Sequence, residues 1–189
     1  MVRRVTRNQL FLTNKHACCS IVLFIKFLSH KENCTKGVFM KELTVTSSVF
    51  KSNQPIPEKY GCDYENINPP ISIEGIPEGT KSLALIMDDP DAPSGTFDHW
   101  VIWNIPPSQN KIAEHTAPGV EGKNGMGENG YTGPCPPPGK PHHYNFKAYA
   151  LDMELGLSEG STKKDLERTM KGHVLAEGKL IGLFSRSKL

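Results

Sequence analysis

The sequence predicts a single β-rich domain with one late helix, and three observations carry that expectation. Glycine (17) and proline (15) are abundant among 189 residues, which implies many turns and short elements. Apolar runs of strand length recur, each bounded by loop-forming residues. Only near the C-terminus does the apolar spacing change to that of a helix. The length suffices for one domain with a real core. A hydrophobic content of 37% and a mean hydropathy of −0.41 fit a soluble globular class.

The net charge of +2 is too small to point to a nucleic acid, and it averages over two unlike parts. Residues 1–39 carry seven Lys/Arg and one acid, Glu32, whereas residues 40–189 carry fifteen basic and nineteen acidic residues. In the head, Asn14, Lys15 and His16 break the first apolar run and Lys26 ends the second. Neither run has the form of a secretory leader, and neither approaches the ~20 apolar residues of a membrane span. Lys36 to Met40 can be encoded by a purine-rich ribosome-binding sequence followed by a start codon. We therefore expect residues 1–39 to be a disordered extension or translated upstream sequence, and residues 40–189 to be the domain. A cytoplasmic location is expected. Ser187, Lys188 and Leu189 spell a peroxisomal address in eukaryotes, read here as coincidence.

The body begins with Leu43 to Phe50, an alternating β-branched strand. Lys51 to Tyr60 is an extended connection with Pro55 and Pro57, and Gly61 to Pro70 is a loop. Ile71 to Ile73 is a short strand, and Gly75 to Thr80 a turn. Leu83 to Met87 and Trp100 to Ile105 are strands flanking a structured loop. Residues 108–141 form a long loop rich in glycine and proline, a feature that is often functional. Tyr144 to Leu151 is a strand with Tyr144, Phe146, Ala148 and Ala150 on one face. Thr162 opens a helix through a capping box with Asp165, and Leu166, Met170 and Val174 form its apolar stripe, with Gly172 as a kink. Glu177 and Gly178 then read as a turn before a last strand, Leu180 to Phe184.

Candidate chemistry gathers at three strand mouths. Pro90 and Pro93 stiffen the loop that carries Asp89 and Asp91. His99 opens the next strand, and His142, His143 and Tyr144 open another. If those two strands are neighbours, His99 and His142 converge with Asp89. Imidazoles beside a carboxylate, a tyrosine hydroxyl and loop N–H groups suit a phosphate-type anion. Pro137 and Trp100 would form the apolar wall. Asp88 and Asp98 are not expected to join the cavity.

Each residue also has an ordinary reading. Asp89 and Asp91 are common turn residues, single histidines at strand ends are often structural, and both tryptophans suit a core. Cys62 and Cys135 suit buried thiols or a structural pair. Two enzyme readings compete as well. Asp89, His99 and His142 have ligand types for a metal-dependent hydrolase but lack a local signature. Cys135 with His142 could be a nucleophile pair, yet Pro134 and Pro136 remove N–H groups that an oxyanion hole needs. No GxSxG, P-loop or GxGxxG signature is read, and no cofactor is expected.

Five stretches then resemble a known family. They are Asp89 to Pro93, His99 to Val101, Gly130 to Pro137, His142 with Tyr144, and Asn66 to Pro70. Together they resemble the phosphatidylethanolamine-binding, or Raf kinase inhibitor-like, family in its bacterial and archaeal branch. The resemblance spans residues 41 to 185 in order. It implies a β-sandwich-like fold of antiparallel sheets with a few peripheral helices. It implies a small anion pocket of Asp89, His99, Pro137, His142 and Tyr144, with Asp91 and Pro93 supporting the loop. It further implies a non-enzymatic binding protein for phosphate-type or phosphorylated head groups. Regulation of a protein partner such as a kinase, protein inhibition through the surface, and homodimers also follow from it. One departure stands out: the family usually has arginine where this chain has His143, which replaces a permanent charge by a titratable one.

Overall fold

The computed structural model describes residues 41–186. The expectations for residues 1–39 and for the C-terminal Ser187 to Leu189 lie outside the described residues. The strands are β1 (Lys41–Glu42), β2 (Thr44–Thr46), β3 (Gln54–Pro55), β4 (Ile71–Glu74), β5 (Ser82–Asp89), β6 (Phe97–Ile105), β7 (Lys111–Ile112), β8 (Val120–Glu121), β9 (His142–Leu151) and β10 (Val174–Phe184); the helix α1 is Lys163–Met170. A large sheet has the order β1-β10-β9-β5-β6-β8, with β3 also paired to β10, and a small sheet has the order β2-β4-β7. The large sheet is antiparallel from β10 to β8, while β1 and β3 add parallel edges. This is the mainly β, sandwich-like architecture that was expected.

β5 is buried at every position, because its two faces enter different cores. Leu83, Leu85 and Met87 join Trp100, Ile102, Tyr144 and Phe146 beneath the small sheet's Val45, Ile71, Ile73 and Ile112. Ala84 and Ile86 join Val101 and Trp103 under Leu166 and Met170 of α1. A strand buried on both faces reads as an unbroken apolar run, which is why Leu83 to Met87 stands out in the sequence. Tyr144, Phe146, Ala148 and Ala150 all face the first core.

Three differences from the sequence reading have physical causes. The expected strand Leu43 to Phe50 is split. Leu43 N donates to Glu177 O at the large sheet before β2 pairs with β4 in the small one, so one segment serves both layers. α1 carries the expected capping box, Thr162 with Asp165, but Gly172 ends the helix instead of kinking it. Lys171 (φ −60°, ψ 121°) and Gly172 (φ 88°) form a type II turn closed by His173 N donating to Met170 O at 3.0 Å. Val174 therefore reaches the second core from β10, not from the helix. The expected turn at Glu177 and Gly178 is absent, since β10 runs straight through it. A Cβ at Gly178 would run into the Leu43 carbonyl, so this glycine serves close chain approach.

β6 holds one extra residue at two places relative to β5, between Asp98 and Trp100 and between Ile102 and Ile105. At the second, Asn104 takes a positive φ of 54° and its side chain bonds both N and O of Leu155. No helix among the described residues is long and apolar enough to cross a membrane.

Candidate functional site

The strands of His99 and His142 are not direct neighbours, the condition under which their convergence was read: β5 lies between β6 and β9. That order still brings the residues together, because Asp89, at the end of β5, sits between the two histidine strands. Side chains two apart share a face. Asp89 follows Met87 and His142 precedes Tyr144 on the face of the first core. The extra residue in β6 places His99 on this face as well, next to Trp100; its ring meets Tyr144 edge-on at 5.1 Å.

Asp89, His99, Pro137 and His142 line a cavity of about 370 Å³ with Ala92, Pro93, Ser94, Phe97, Met126, Cys135 and Pro136. Asp89 is 3% exposed and accepts from His142 Nδ1 through Oδ2 at 2.8 Å. Its Oδ1 accepts from Asp91 N at 2.8 Å, so the Asx turn across Pro90 fixes the carboxylate. His99 Nδ1 donates to the Thr132 carbonyl at 2.8 Å, which makes Nδ1 the protonated nitrogen of the neutral ring and leaves Nε2 for a ligand. Burial draws His99 below the ordinary histidine value, with the Thr132 hydrogen bond and the Asp89 charge pulling upward. Tyr144, expected in the pocket, does not line the cavity: it is fully buried behind His99, and its hydroxyl has no hydrogen-bond partner among the described residues. Burial and the neighbouring Asp89 charge push this hydroxyl far above the ordinary tyrosine range, so it stays protonated.

Pro93 was expected only to support the loop and instead lines the cavity. Asp91 bonds the start of β9. Its Oδ2 accepts from His143 N at 2.8 Å and from His143 Nδ1 at 2.7 Å, so His143 takes the place where the related pattern has arginine. Hydrogen bonding to the His143 side chain holds Asp91 below the usual carboxylate range. Trp100, expected in the cavity wall, lies in the core instead, with Nε1 donating to Glu121 at 2.8 Å. Phe97, Met126 and Pro136 supply the apolar wall.

Asp88 and Asp98 face the opposite side of the sheet. Asp88 accepts from Lys147 Nζ at 2.7 Å, Lys163 Nζ at 2.8 Å and Asn145 Nδ2 at 3.1 Å, and Lys163 also reaches Asp98 at 2.8 Å. Burial alone would raise the Asp88 carboxyl, but these donors more than offset it and hold it low. Adjacent aspartates thus do different work: Asp88 ties three strands to α1, and Asp89 faces the cavity.

Cys62 and Cys135 form a disulfide with a Cα–Cα distance of 5.4 Å. This excludes the Cys135–His142 nucleophile reading, which needs a free thiolate. Among the described residues the one group of three ligand types with donor atoms within 4.8 Å of one another is Cys62, Asp63 and Cys135. Its sulfurs are spent on each other and Asp63 is held by Arg186. Asp89, His99 and His142 do not form such a group. The reading that the chain has no GxGxxG is corrected by Gly125 to Gly130, which has that spacing. It opens no helix; Asn124 Oδ1 caps it as a loop by accepting from Met126 N and Glu128 N, so the nucleotide-binding context is missing.

A two-layered β-sandwich, flanked by one helix and bearing a small cavity at the end of its central strands, defines a class of ligand-binding fold. The family model for phosphatidylethanolamine-binding protein matches residues 46–185, and the chain belongs to that family. It is 48% identical over 162 residues to the UPF0098 protein PH1269 of Pyrococcus horikoshii, covering 81% of this chain and 82% of that one. It is likewise 48% identical to a UPF0098 protein of Methanothermobacter thermautotrophicus, over 76% of this chain and 99% of the relative. The solved structure of CT736 of Chlamydia trachomatis, described as a phosphatidylethanolamine-binding protein homologue, superposes with a TM-score of 0.74 at 40% identity, covering 78% of this chain and 99% of that one. YbcL of E. coli, described as a member of the mammalian family, gives 0.71 at 29% identity over 77% of this chain and 99% of YbcL. Membership supports, in general terms, a binding protein that is not an enzyme.

Proposed function

We propose that the cavity lined by Asp89, His99, Pro137 and His142, with the Tyr144 hydroxyl buried behind it, binds a phosphate-type anion, free or on a phosphorylated head group. The buried, unpartnered Tyr144 hydroxyl carries this reading. A donor buried without an acceptor costs about 1–3 kcal/mol, and an anion oxygen would relieve that cost. His142, with Nδ1 committed to Asp89, offers Nε2; His99, with Nδ1 committed to Thr132, does the same. The Phe97, Pro136 and Pro137 wall supplies low-dielectric surroundings that strengthen such hydrogen bonds. An anion must share the cavity with the Asp89 carboxylate, so binding is favoured when the ligand or a histidine brings a proton. In the cell the protein would act as a non-enzymatic regulator. It would hold a phosphorylated group of a partner such as a kinase, the role the family resemblance implies.

Calorimetric titration with inorganic phosphate from pH 5.5 to 8 tests the site. Affinity should fall as pH rises, with net proton uptake revealed by buffers of different ionisation enthalpy. Tyr144→Phe should weaken binding by about 10-fold, the worth of one hydrogen bond to a charged group, with no loss of stability. A pH-independent affinity, or a Tyr144→Phe protein that binds as tightly as the parent, would refute the assignment.

A further inference from the structure

We infer that the Cys62–Cys135 disulfide is a thiol–disulfide exchange site whose redox state sets the cavity wall and thereby the affinity for the anion. The inference rests on the anion reading above for its ligand, but the wall itself can be tested without one. Cys135 is exposed and lines the cavity beside Pro136 and Pro137. The chain from Pro136 to Pro141 makes no backbone hydrogen bond among the described residues. Four of its six residues are prolines without an N–H to give. This wall is therefore suspended between the segment that ends in the Cys135 disulfide and the start of β9 at His142.

On the other side of Cys135, residues 131–134 strap two parts of the fold together. Cys62 N donates to Pro134 O at 3.0 Å, Gly133 N to Asn66 Oδ1 at 2.7 Å, and Tyr131 Oη to Tyr60 O at 3.0 Å. Thr132 N donates to His99 O at 2.9 Å, and Thr132 O accepts from His99 Nδ1 at 2.8 Å. The bond thus lies three residues from the carbonyl that fixes the His99 tautomer, and one residue from the wall.

The exchange needs a dithiol reductant. Its thiolate attacks Cys135 Sγ, the sulfur of the more exposed residue, forming a mixed disulfide while Cys62 leaves as a thiolate and takes up a proton. The second reductant thiol then attacks the mixed bond, releasing Cys135 as a thiol and leaving the reductant as its own disulfide. Two electrons and two protons pass to the protein. Asp63, beside the leaving sulfur, does not add a free negative charge there, because Arg186 pairs with both its oxygens at 2.5 and 2.6 Å.

The experiment compares oxidised and dithiol-treated full-length protein, with alkylation and mass spectrometry to count free thiols. Hydrogen exchange reads the strap of residues 130–135 that carries the wall, and calorimetry reads inorganic phosphate. Reduction should speed exchange at residues 130–135 and 61–66 while β5 and β9 stay protected. It should weaken phosphate binding by about 10-fold through lost preorganisation. A Cys62→Ala/Cys135→Ala protein should match the reduced state and ignore the dithiol. The inference is overturned if the folded protein resists the dithiol, if exchange at 130–135 is unchanged on reduction, or if both redox forms bind phosphate equally. Phosphate binding in neither form would instead overturn the anion reading, with the exchange data still deciding the fate of the wall.

Discussion

His99 shows how one side chain can report on the whole site. Its Nδ1 is committed to Thr132 and its ring is wedged between Phe97 and Tyr144. Burial holds it below the ordinary histidine value of 6.5, so the folded protein binds fewer protons here than the unfolded chain does. Between the folded value and 6.5, stability must therefore rise with pH. The contribution is complete above the unfolded value and is lost as pH falls through the folded one. Urea midpoints measured at pH 5 and pH 7 should show this slope in the parent and a shallower one in His99→Gln. Equal slopes in the two proteins would show that His99 is not the group responsible.

At the scale of elements, the cavity depends on a clamp behind it. Lys163, in the first turn of α1, joins Asp88 of β5 to Asp98 of β6, and Asp98 immediately precedes His99, itself the extra residue of β6 that faces the cavity. Lys163→Met keeps the aliphatic stem but removes the charge, leaving Asp88 with Lys147 and Asn145 alone. We expect a loss of about 1–3 kcal/mol from the weakened buried carboxylate. The donors hold Asp88 low, so its stabilisation is present above the ordinary carboxylate value and disappears as pH falls through the folded one. The variant should accordingly lose less stability than the parent on acidification below pH ~4. Denaturant titrations at pH 3 and pH 7 measure this, and a variant with an undiminished acid loss would contradict it.

The same elements show what sequence can and cannot display. The rigid Asp89 to Pro93 loop and the capping box of α1 were legible because each is made by residues close in the chain. The doubly buried β5 was legible as an apolar run. The strand order β9-β5-β6 was not, since nothing local encodes which strands pair. Nor was the extra residue in β6, because one added residue does not disturb an apolar run. Gly178 was misread as a turn because a glycine needed for close approach and one needed for a turn look alike in a sequence.

For the whole molecule, the disulfide raises a question that the two cores help to answer. It joins positions 73 apart in the chain, and closing a loop of that length is worth about 4 kcal/mol in the chain-entropy account, often less in practice. Yet neither cysteine belongs to either core, and the strands that build them, β5, β6, β9 and β10, pair without involving residues 61–66. The bond therefore acts chiefly on the unfolded chain and on the strap at the sheet end, not on the packing at the centre. Reduced protein should remain folded, with unchanged near-ultraviolet dichroism from buried Trp100 and Trp103. Its urea midpoint should fall by an amount equivalent to about 2–4 kcal/mol. The dependence on denaturant should steepen, because an unfolded chain freed of its cross-link exposes more surface. Loss of the tryptophan signal on reduction in the absence of denaturant would mean that the bond holds the core itself, and the division between strap and core drawn from these contacts would be wrong.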